Sequence, residues 1–79
     1  MITRYVARAL GRAQYRLLDD GSFAATVRGL RGLIATGVTL EACRDELSEV
    51  VEEWVLVRVA KGLAIPSLDG ATVRVRRAS

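Results

Sequence analysis

The sequence predicts an α+β fold with two layers and the element order α-β-β-β-α-β. Short segments in which apolar and polar residues alternate indicate strands, and a longer segment with apolar residues at helical spacing indicates a helix. With 79 residues, of which 51% are hydrophobic and one is proline, the chain can form a single core. We expect one domain over residues 1–79, in which an antiparallel meander over residues 14–36 packs on one long helix over residues 40–61.

The first element is a predicted amphipathic helix over residues 2–11. Apolar side chains recur there at helical spacing, and arginines lie on the opposite side. Gly11 is a suitable stop for this helix. We interpret the arginines as a solvated face, with a contact surface for an acidic partner as the alternative.

The meander is predicted from alternation in three short segments that are separated by turn residues. Its first two strands flank the turn Asp19-Asp20-Gly21, in which glycine supplies a positive φ and aspartate tolerates the turn geometry. A loop containing Gly32 leads to the third strand, and Gly37 is expected to end that strand. We expect the glycines to serve backbone geometry.

The long helix over residues 40–61 begins after Thr39, which is a good N-cap, and ends with Gly62 at the position after the C-cap. Pro66 is expected to fix the exit of the chain from the helix. Beyond it, apolar and polar residues alternate over residues 71–76, which predicts a terminal strand at the edge of the sheet.

The long helix carries two apolar stripes. The first is expected to face the sheet, with Trp54 as a core residue, and consists of Leu40, Cys43, Leu47, Val50, Val51 and Trp54. The second consists of Val55, Leu56, Val59 and Leu63. A helix of about 33 Å outruns strands of about 17–20 Å, so one sheet cannot cover both stripes. We expect the second stripe to form the contact of a homodimer or homotetramer, with the N-terminal helix or the segment around Ile65 as alternative covers.

Composition excludes several classes of function. The chain has no histidine and only one cysteine, Cys43, so the commonest general base, an intrachain disulfide and a cysteine-based zinc site are absent. Cys43 is interpreted as inert core. The sequence contains no phosphate-binding loop, no signal peptide and no apolar run long enough for a membrane span. We therefore expect a cytoplasmic protein that is not an enzyme and has no cofactor, metal site or small-molecule substrate.

Charge is segmented along the chain, although the net charge is only +3. Arginines dominate residues 1–31 and the last residues of the chain, whereas carboxylates dominate residues 41–53. Such segmentation suits a protein that docks on other proteins.

A series of short motifs between Tyr15 and Pro66 resembles the HicB-like antitoxin family. The motifs are Asp19-Asp20-Gly21, Phe23, Gly29-Leu30-Arg31-Gly32, Ala35-Thr36-Gly37, Thr39-Leu40-Glu41, Glu52-Glu53-Trp54 and Ile65-Pro66. Their order and spacing, rather than any single motif, carry the resemblance, which covers about two-thirds of the chain.

The resemblance implies a partial RNase H-like sheet with one helix. It also implies a function without catalysis, in which the protein binds a small HicA-like, mRNA-cleaving toxin and covers its catalytic surface. The predicted strands hold no Asp or Glu, so a two-metal nuclease site is not expected. The residues expected to contact such a toxin, by mimicking RNA phosphates, are Asp19, Asp20, Asp45, Glu46 and Glu49. A solvated turn or helix face is the alternative for each of them.

Two other functions remain open. The first is an oligomeric scaffold that keeps the HicB-like fold without a toxin. The second is an RNA- or DNA-binding module, because the order α-β-β-β-α also occurs in double-stranded RNA-binding domains. Against the second, Glu41 at the start of the long helix would repel phosphate. Many members of the family carry a C-terminal DNA-binding module that this sequence does not show, so DNA binding is doubtful.

Overall fold

The computed structural model describes residues 2–68 of the chain. Its elements are α1 (Ile2–Gly11), β1 (Ala13–Leu17), β2 (Phe23–Val27), β3 (Ala35–Gly37) and α2 (Leu40–Ala60). The strands form one sheet in the order β1-β2-β3, with both neighbouring pairs antiparallel. This confirms the predicted α+β class, in which a three-stranded meander packs on one long helix. The terminal strand predicted over residues 71–76 lies outside the described residues.

The register of the sheet decides which side chains face α2. Tyr15 pairs with Ala25, and Ala25 pairs with Ala35. Residues that pair directly lie on the same face of a sheet. Ala25 and Ala35 are buried under α2, and the face that they share therefore includes Tyr15. The sequence predicts that the third strand stops before Gly37. In the structure Gly37 is the last residue of β3.

Both ends of α2 are capped by local hydrogen bonds. The Thr39 hydroxyl accepts a hydrogen bond from the backbone N–H of Ala42 at 3.0 Å, as expected of an N-cap. At the other end, Gly62 adopts a φ of 68° and donates its N–H to the Val59 carbonyl at 3.1 Å. The next residue donates to the Arg58 carbonyl at 2.8 Å, which completes a Schellman motif. These caps end the helix where the sequence predicts.

α2 meets the sheet at Gly37, where the two backbones approach closely. A Cβ atom added at Gly37 would lie 2.3 Å from the backbone nitrogen of Cys43, so only glycine fits at this crossing. Leu40 lies one turn before the crossing and lines a shallow cavity with Tyr15 of β1. The expectation that Leu40 belongs to the buried stripe is wrong, because its side chain is 47% exposed.

The core lies between the sheet, α2 and α1. Every fourth residue of α2 from Cys43 to Val55 is fully buried in it. Val55 therefore belongs to the core of its own chain, and the expectation that it contacts a second copy is wrong. Other core residues come from α1, the strands and the following segments: Tyr5, Val6, Ala9, Ala25, Val27, Leu30, Leu33, Ala35 and Leu68.

α1 accounts for the burial of Val55. α2 has 21 residues and is therefore about 31 Å long, whereas a strand of five residues spans about 17 Å. α1 packs against α2, and its residues Tyr5, Val6 and Ala9 share one core with Val55. Trp54 is half-buried and packs against the edge of that core. The N-terminal helix thus covers Val55, the fully buried residue of the second stripe.

The segment after α2 is tied back to α1 by Tyr5. The Tyr5 hydroxyl donates a hydrogen bond to the carbonyl of Pro66, and Leu68 is buried in the core. Burial raises the pKa of Tyr5, and the positive charges of Arg12 and Arg58 offset part of that rise. Pro66, which is expected to fix the exit of the chain, therefore also provides the acceptor of a tertiary hydrogen bond.

Tyr5→Phe is expected to lower the free energy of unfolding by about 1 kcal/mol, because it leaves a partly buried carbonyl without its donor. The folded-state pKa of Tyr5 lies above its ordinary value of 10.0. The stability that this shift contributes is therefore present below about pH 10 and is lost as the pH rises through the folded-state pKa. Tyr5→Phe should consequently lose less stability in alkali than the wild type does.

Urea unfolding at neutral and at strongly alkaline pH measures both effects of Tyr5→Phe. Tyr15→Phe, at an exposed tyrosine, is the matched control and should leave the free energy of unfolding at neutral pH unchanged. An identical loss of stability in alkali for the wild type and Tyr5→Phe would contradict the assigned hydrogen bond and burial.

Candidate protein interface

An exposed apolar patch lies at the end of the domain where the β1–β2 hairpin turns. α2 packs mainly over β3 and β2, so Tyr15 and Leu17 on the helix-facing side of β1 are exposed, whereas Ala13 packs against the core. Leu17 is 65% exposed and Val38 is 80% exposed, and both Tyr15 and Leu40 are also exposed. Tyr15 and Leu40 line one shallow cavity together. We call these four residues, Tyr15, Leu17, Val38 and Leu40, the hairpin-end patch.

Carboxylates border the hairpin-end patch. Asp19 and Asp20 are exposed on the turn, and Asp20 lines a small depression together with Val38. The Asp20 carboxylate accepts hydrogen bonds from the Ser22 hydroxyl and from the Ser22 backbone N–H, and these bonds lower its pKa. Glu41 and Arg44 line the cavity on the Leu40 side. The patch is therefore an apolar surface with carboxylates on the turn side and a carboxylate and a guanidinium on the α2 side.

α2 carries an acidic ridge on its solvent-exposed side. Asp45, Glu46 and Glu49 are all exposed there, and Glu52 and Glu53 continue the ridge. Asp45 and Glu49 stand four residues apart, as do Glu49 and Glu53, so like charges are neighbours on the helix. Each such pair costs about 0.2–0.5 kcal/mol in an isolated helix. The ridge thus opposes helix stability unless positive charge neutralises it.

The five acidic residues predicted as toxin contacts thus lie on two elements. Asp19 and Asp20 are on the hairpin turn, and the other three are on the acidic ridge. All five are exposed, which a contact role and a solvated face both require. The apolar part of the surface was missed by sequence reasoning, because helical periodicity assigned Leu40 to the core and no pattern marked Val38.

A second exposed apolar surface lies between α2 and the loop that precedes β3. It is an open groove of about 530 Å³. Ile34, which is 57% exposed, forms the loop side of the groove. Val50, Trp54 and Val57 form the apolar part of the α2 side, Glu53 adds a carboxylate there, and Leu63 lies at the end. Sequence reasoning missed Val57, although Val50, Trp54 and Val57 stand at helical spacing on one side of α2.

The groove has a cationic end. The Arg58 guanidinium stacks over the Trp54 ring, 4.8 Å from its centroid, and its Nε donates to the Ala64 carbonyl at 2.7 Å. Lys61 is exposed beside it. Arg58 is therefore held in place by two contacts.

The remaining predicted oligomer contacts are distributed over different surfaces. Leu56 is 49% exposed and lies on a side of α2 away from the groove, Leu63 lines the groove, and Val59 is half-buried. The second stripe is therefore not one continuous surface. A contact with a second copy through Leu56, Val59 or Leu63 stays a prediction.

Residues 4–66 match the family model described as UPF0150-like, which is more than half of the chain. The chain belongs to the UPF0150-like family. Its fold is also similar to the crystal structure of TTHA0281 from Thermus thermophilus, with a TM-score of 0.86 and 30% sequence identity over 96% of this chain and 95% of that one. No curated protein sequence matches this chain. Within the described residues, the UPF0150-like match includes all three strands, α2 and the Pro66 carbonyl that Tyr5 binds.

In residues 2–68 of this UPF0150-like chain, no group of three or more His, Cys, Asp or Glu side chains could hold a metal ion. Cys43 is fully buried, and its Sγ lies 3.7 Å from the Ala35 carbonyl oxygen. Burial, and then the negative charge of Glu46, raise the pKa of the Cys43 thiol, so it stays protonated at neutral pH. Neither described helix is both long and apolar enough to cross a membrane.

Proposed function

We propose that this chain is a HicB-like antitoxin, which binds a small HicA-type, mRNA-cleaving toxin and covers its catalytic surface. The observation that carries the proposal is the hairpin-end patch, an exposed apolar surface bordered by two carboxylates on a turn and by Glu41 and Arg44 at the start of α2. Apolar patches of this kind with polar rims are typical of protein interfaces.

The charges of this surface suit a partner protein that itself binds RNA. A toxin that cleaves mRNA must hold the phosphate backbone with basic side chains. Two hydrogen bonds from Ser22 favour the ionised form of the Asp20 carboxylate. Asp45 lies on α2, which is capped at both ends. These groups offer negative charge in fixed positions, as a phosphate backbone does. Complementary charge speeds association, while the apolar patch supplies the buried area.

The acidic ridge adds a second argument. Its neighbouring carboxylates repel one another at four-residue spacing, so they oppose the helix in the free chain. A basic partner would relieve that repulsion on binding. An isolated scaffold would gain nothing from such a ridge, which favours a partner of opposite charge over an orphan scaffold.

An RNA-binding role fits this surface less well, although the described elements follow the order α-β-β-β-α. Double-stranded RNA-binding domains with that order bind phosphates through basic residues. Here the N-terminal half of α2 carries Glu41, Asp45 and Glu46, which would repel phosphates. The same residues would attract a basic protein.

Leu17→Lys is expected to weaken binding to a HicA-type toxin from the same genome by about tenfold or more, because it replaces an exposed apolar side chain of the patch by a positive charge. Leu56→Lys is the matched control, since Leu56 is also an exposed leucine but lies away from the patch. Surface plasmon resonance with the full chain measures the dissociation constant of each variant.

Charge reversal in Asp19→Lys/Asp45→Lys should mainly slow association and reduce its dependence on salt. Equal dissociation constants for the wild type, Leu17→Lys and Leu56→Lys would contradict the assigned patch. The absence of any binding by the wild-type chain would contradict the proposed function itself.

A further inference from the structure

We propose that Arg44 selects the partner of the hairpin-end patch by binding a carboxylate of that partner. The inference rests on the proposed function and deepens it, because it names the chemical group that a basic toxin must carry opposite this residue. A toxin surface that is basic throughout does not fit, whereas a basic surface with one well-placed carboxylate does.

Arg44 is the one cation in an acidic stretch of α2. From Leu40 to Val57, every charged residue of the helix except Arg44 is an aspartate or a glutamate. Carboxylates alone would attract basic proteins of many kinds without distinguishing between them. A single guanidinium among them changes the pattern of charge that a partner has to match.

Arg44 lies beside the apolar part of the patch. Its side chain is exposed, and it lines a shallow cavity of about 250 Å³ together with Tyr15, Leu40 and Glu41. A partner that covers these apolar side chains also removes water from around the guanidinium. Charged groups next to a covered apolar surface affect binding more than charges at an open rim do.

Arg44 has no partner within the part of the chain that the structure describes. In residues 2–68 its guanidinium makes no hydrogen bond, ion pair or ring contact. Glu41 stands three residues earlier, at a spacing where opposite charges on a helix can pair, yet the two side chains are not paired. Arg58, by contrast, is held by the Trp54 ring and the Ala64 carbonyl. The N–H donors of Arg44 are therefore available to a partner.

A carboxylate is the group that best matches these donors. The guanidinium of an arginine is a planar fork that binds both oxygens of a carboxylate through two parallel hydrogen bonds. Glu41, in the same cavity, matches a cation instead. Together, Glu41 and Arg44 require a partner with a cation and a carboxylate side by side, and this requirement fixes the direction in which the partner docks.

A protein that is basic throughout meets a penalty at Arg44. Its cations would pair with Asp19, Asp20 and the acidic ridge, but one of them would face the guanidinium as the apolar patch is covered. Specific interfaces combine an attractive contact to the correct partner with a repulsive contact to its competitors. Arg44 supplies both, since the same charge attracts a carboxylate and repels a cation.

Opposite effects on two ligands test the inference. For a HicA-type toxin from the same genome, Arg44→Ala is expected to raise the dissociation constant by about tenfold, mainly through faster dissociation. For poly-L-lysine, a probe whose side chains are all basic, Arg44→Ala is expected to lower the dissociation constant by about threefold. Surface plasmon resonance with the full chain measures both constants.

Arg31→Ala is the matched control, because it removes the same charge from another exposed arginine. Arg31 follows the end of β2 that is remote from the hairpin turn, and its loss should leave toxin binding unchanged. Arg44→Lys keeps the charge without the planar fork, so it should bind the toxin more weakly than the wild type and still bind poly-L-lysine no better. Because Arg44 is unpaired in the free chain, its variants should unfold at the same urea concentration as the wild type.

Two results would overturn the inference. The first is a toxin affinity of Arg44→Ala that equals that of the wild type. The second is a gain in poly-L-lysine affinity that is the same for Arg44→Ala and Arg31→Ala, since net charge alone would then explain it. Both results leave the proposed function intact if the wild-type chain binds the toxin, whereas a wild-type chain that binds no toxin contradicts the proposed function itself.

Discussion

Gly37→Ala is expected to lower the free energy of unfolding by about 3 kcal/mol. The cause is a close approach: a Cβ at Gly37 would lie 2.3 Å from the backbone nitrogen of Cys43 and 2.7 Å from its Cα. These are backbone atoms at the start of α2, so no side-chain rotation relieves the clash. The whole first part of α2 would have to move off β3, which loosens the core at Cys43.

Gly11→Ala is the matched control for Gly37→Ala. Gly11 ends α1, and a Cβ added there meets nothing within 4 Å. We expect Gly11→Ala to leave stability unchanged or to raise it by about 0.5–1 kcal/mol, because alanine restricts the unfolded chain and favours helix. Urea unfolding followed by circular dichroism measures both variants, and equal losses in the two would contradict the close approach at Gly37.

Leu47→Ala is expected to lower the free energy of unfolding by about 2–5 kcal/mol. Leu47 is fully buried in the line of α2 residues between Cys43 and Val51. Its truncation removes apolar contacts to the sheet and leaves a cavity that the short strands cannot close by a small shift.

Leu56→Ala is the control for Leu47→Ala, because Leu56 lies on the same helix and is 49% exposed. Its truncation should cost less than about 1 kcal/mol. If the two leucine variants were destabilised to the same extent, the orientation of α2 on the sheet would be wrong.

The elements of the fold could be predicted because their signals are local. Thr39 and Gly62 mark the ends of α2 through hydrogen bonds within a few residues, and the Asp19–Gly21 turn sets the hairpin. The role of Gly37 could not be predicted in full. Its place at a strand end is visible in the sequence, but the approach of the Cys43 backbone is a tertiary contact.

The two errors on α2 have one physical cause. Helical periodicity shows which residues share a side, but it does not show where along the helix the neighbouring elements begin and end. Leu40 shares the side of the core line yet meets only the exposed Tyr15 of β1, whereas Val55 is buried in the core that α1 shares.

For a related reason, the sequence predicts only the acidic part of the candidate interface and not its apolar part. Carboxylates are exposed almost wherever they occur, so Asp19, Asp20 and the acidic ridge could be identified from residue type. The apolar residues beside them depend on which strands α2 covers. Tyr15 and Leu17 look like core residues of a strand, and they are exposed because β1 is the strand that α2 leaves open.

We propose that this chain inhibits a HicA-type toxin by covering its catalytic surface. The test is titration of the full chain into a purified toxin from the same genome, with cleavage of a labelled mRNA as the readout. We expect cleavage to fall in proportion to the chain added and to stop once every toxin molecule is bound. Cleavage that continues unchanged in the presence of excess folded chain would contradict it.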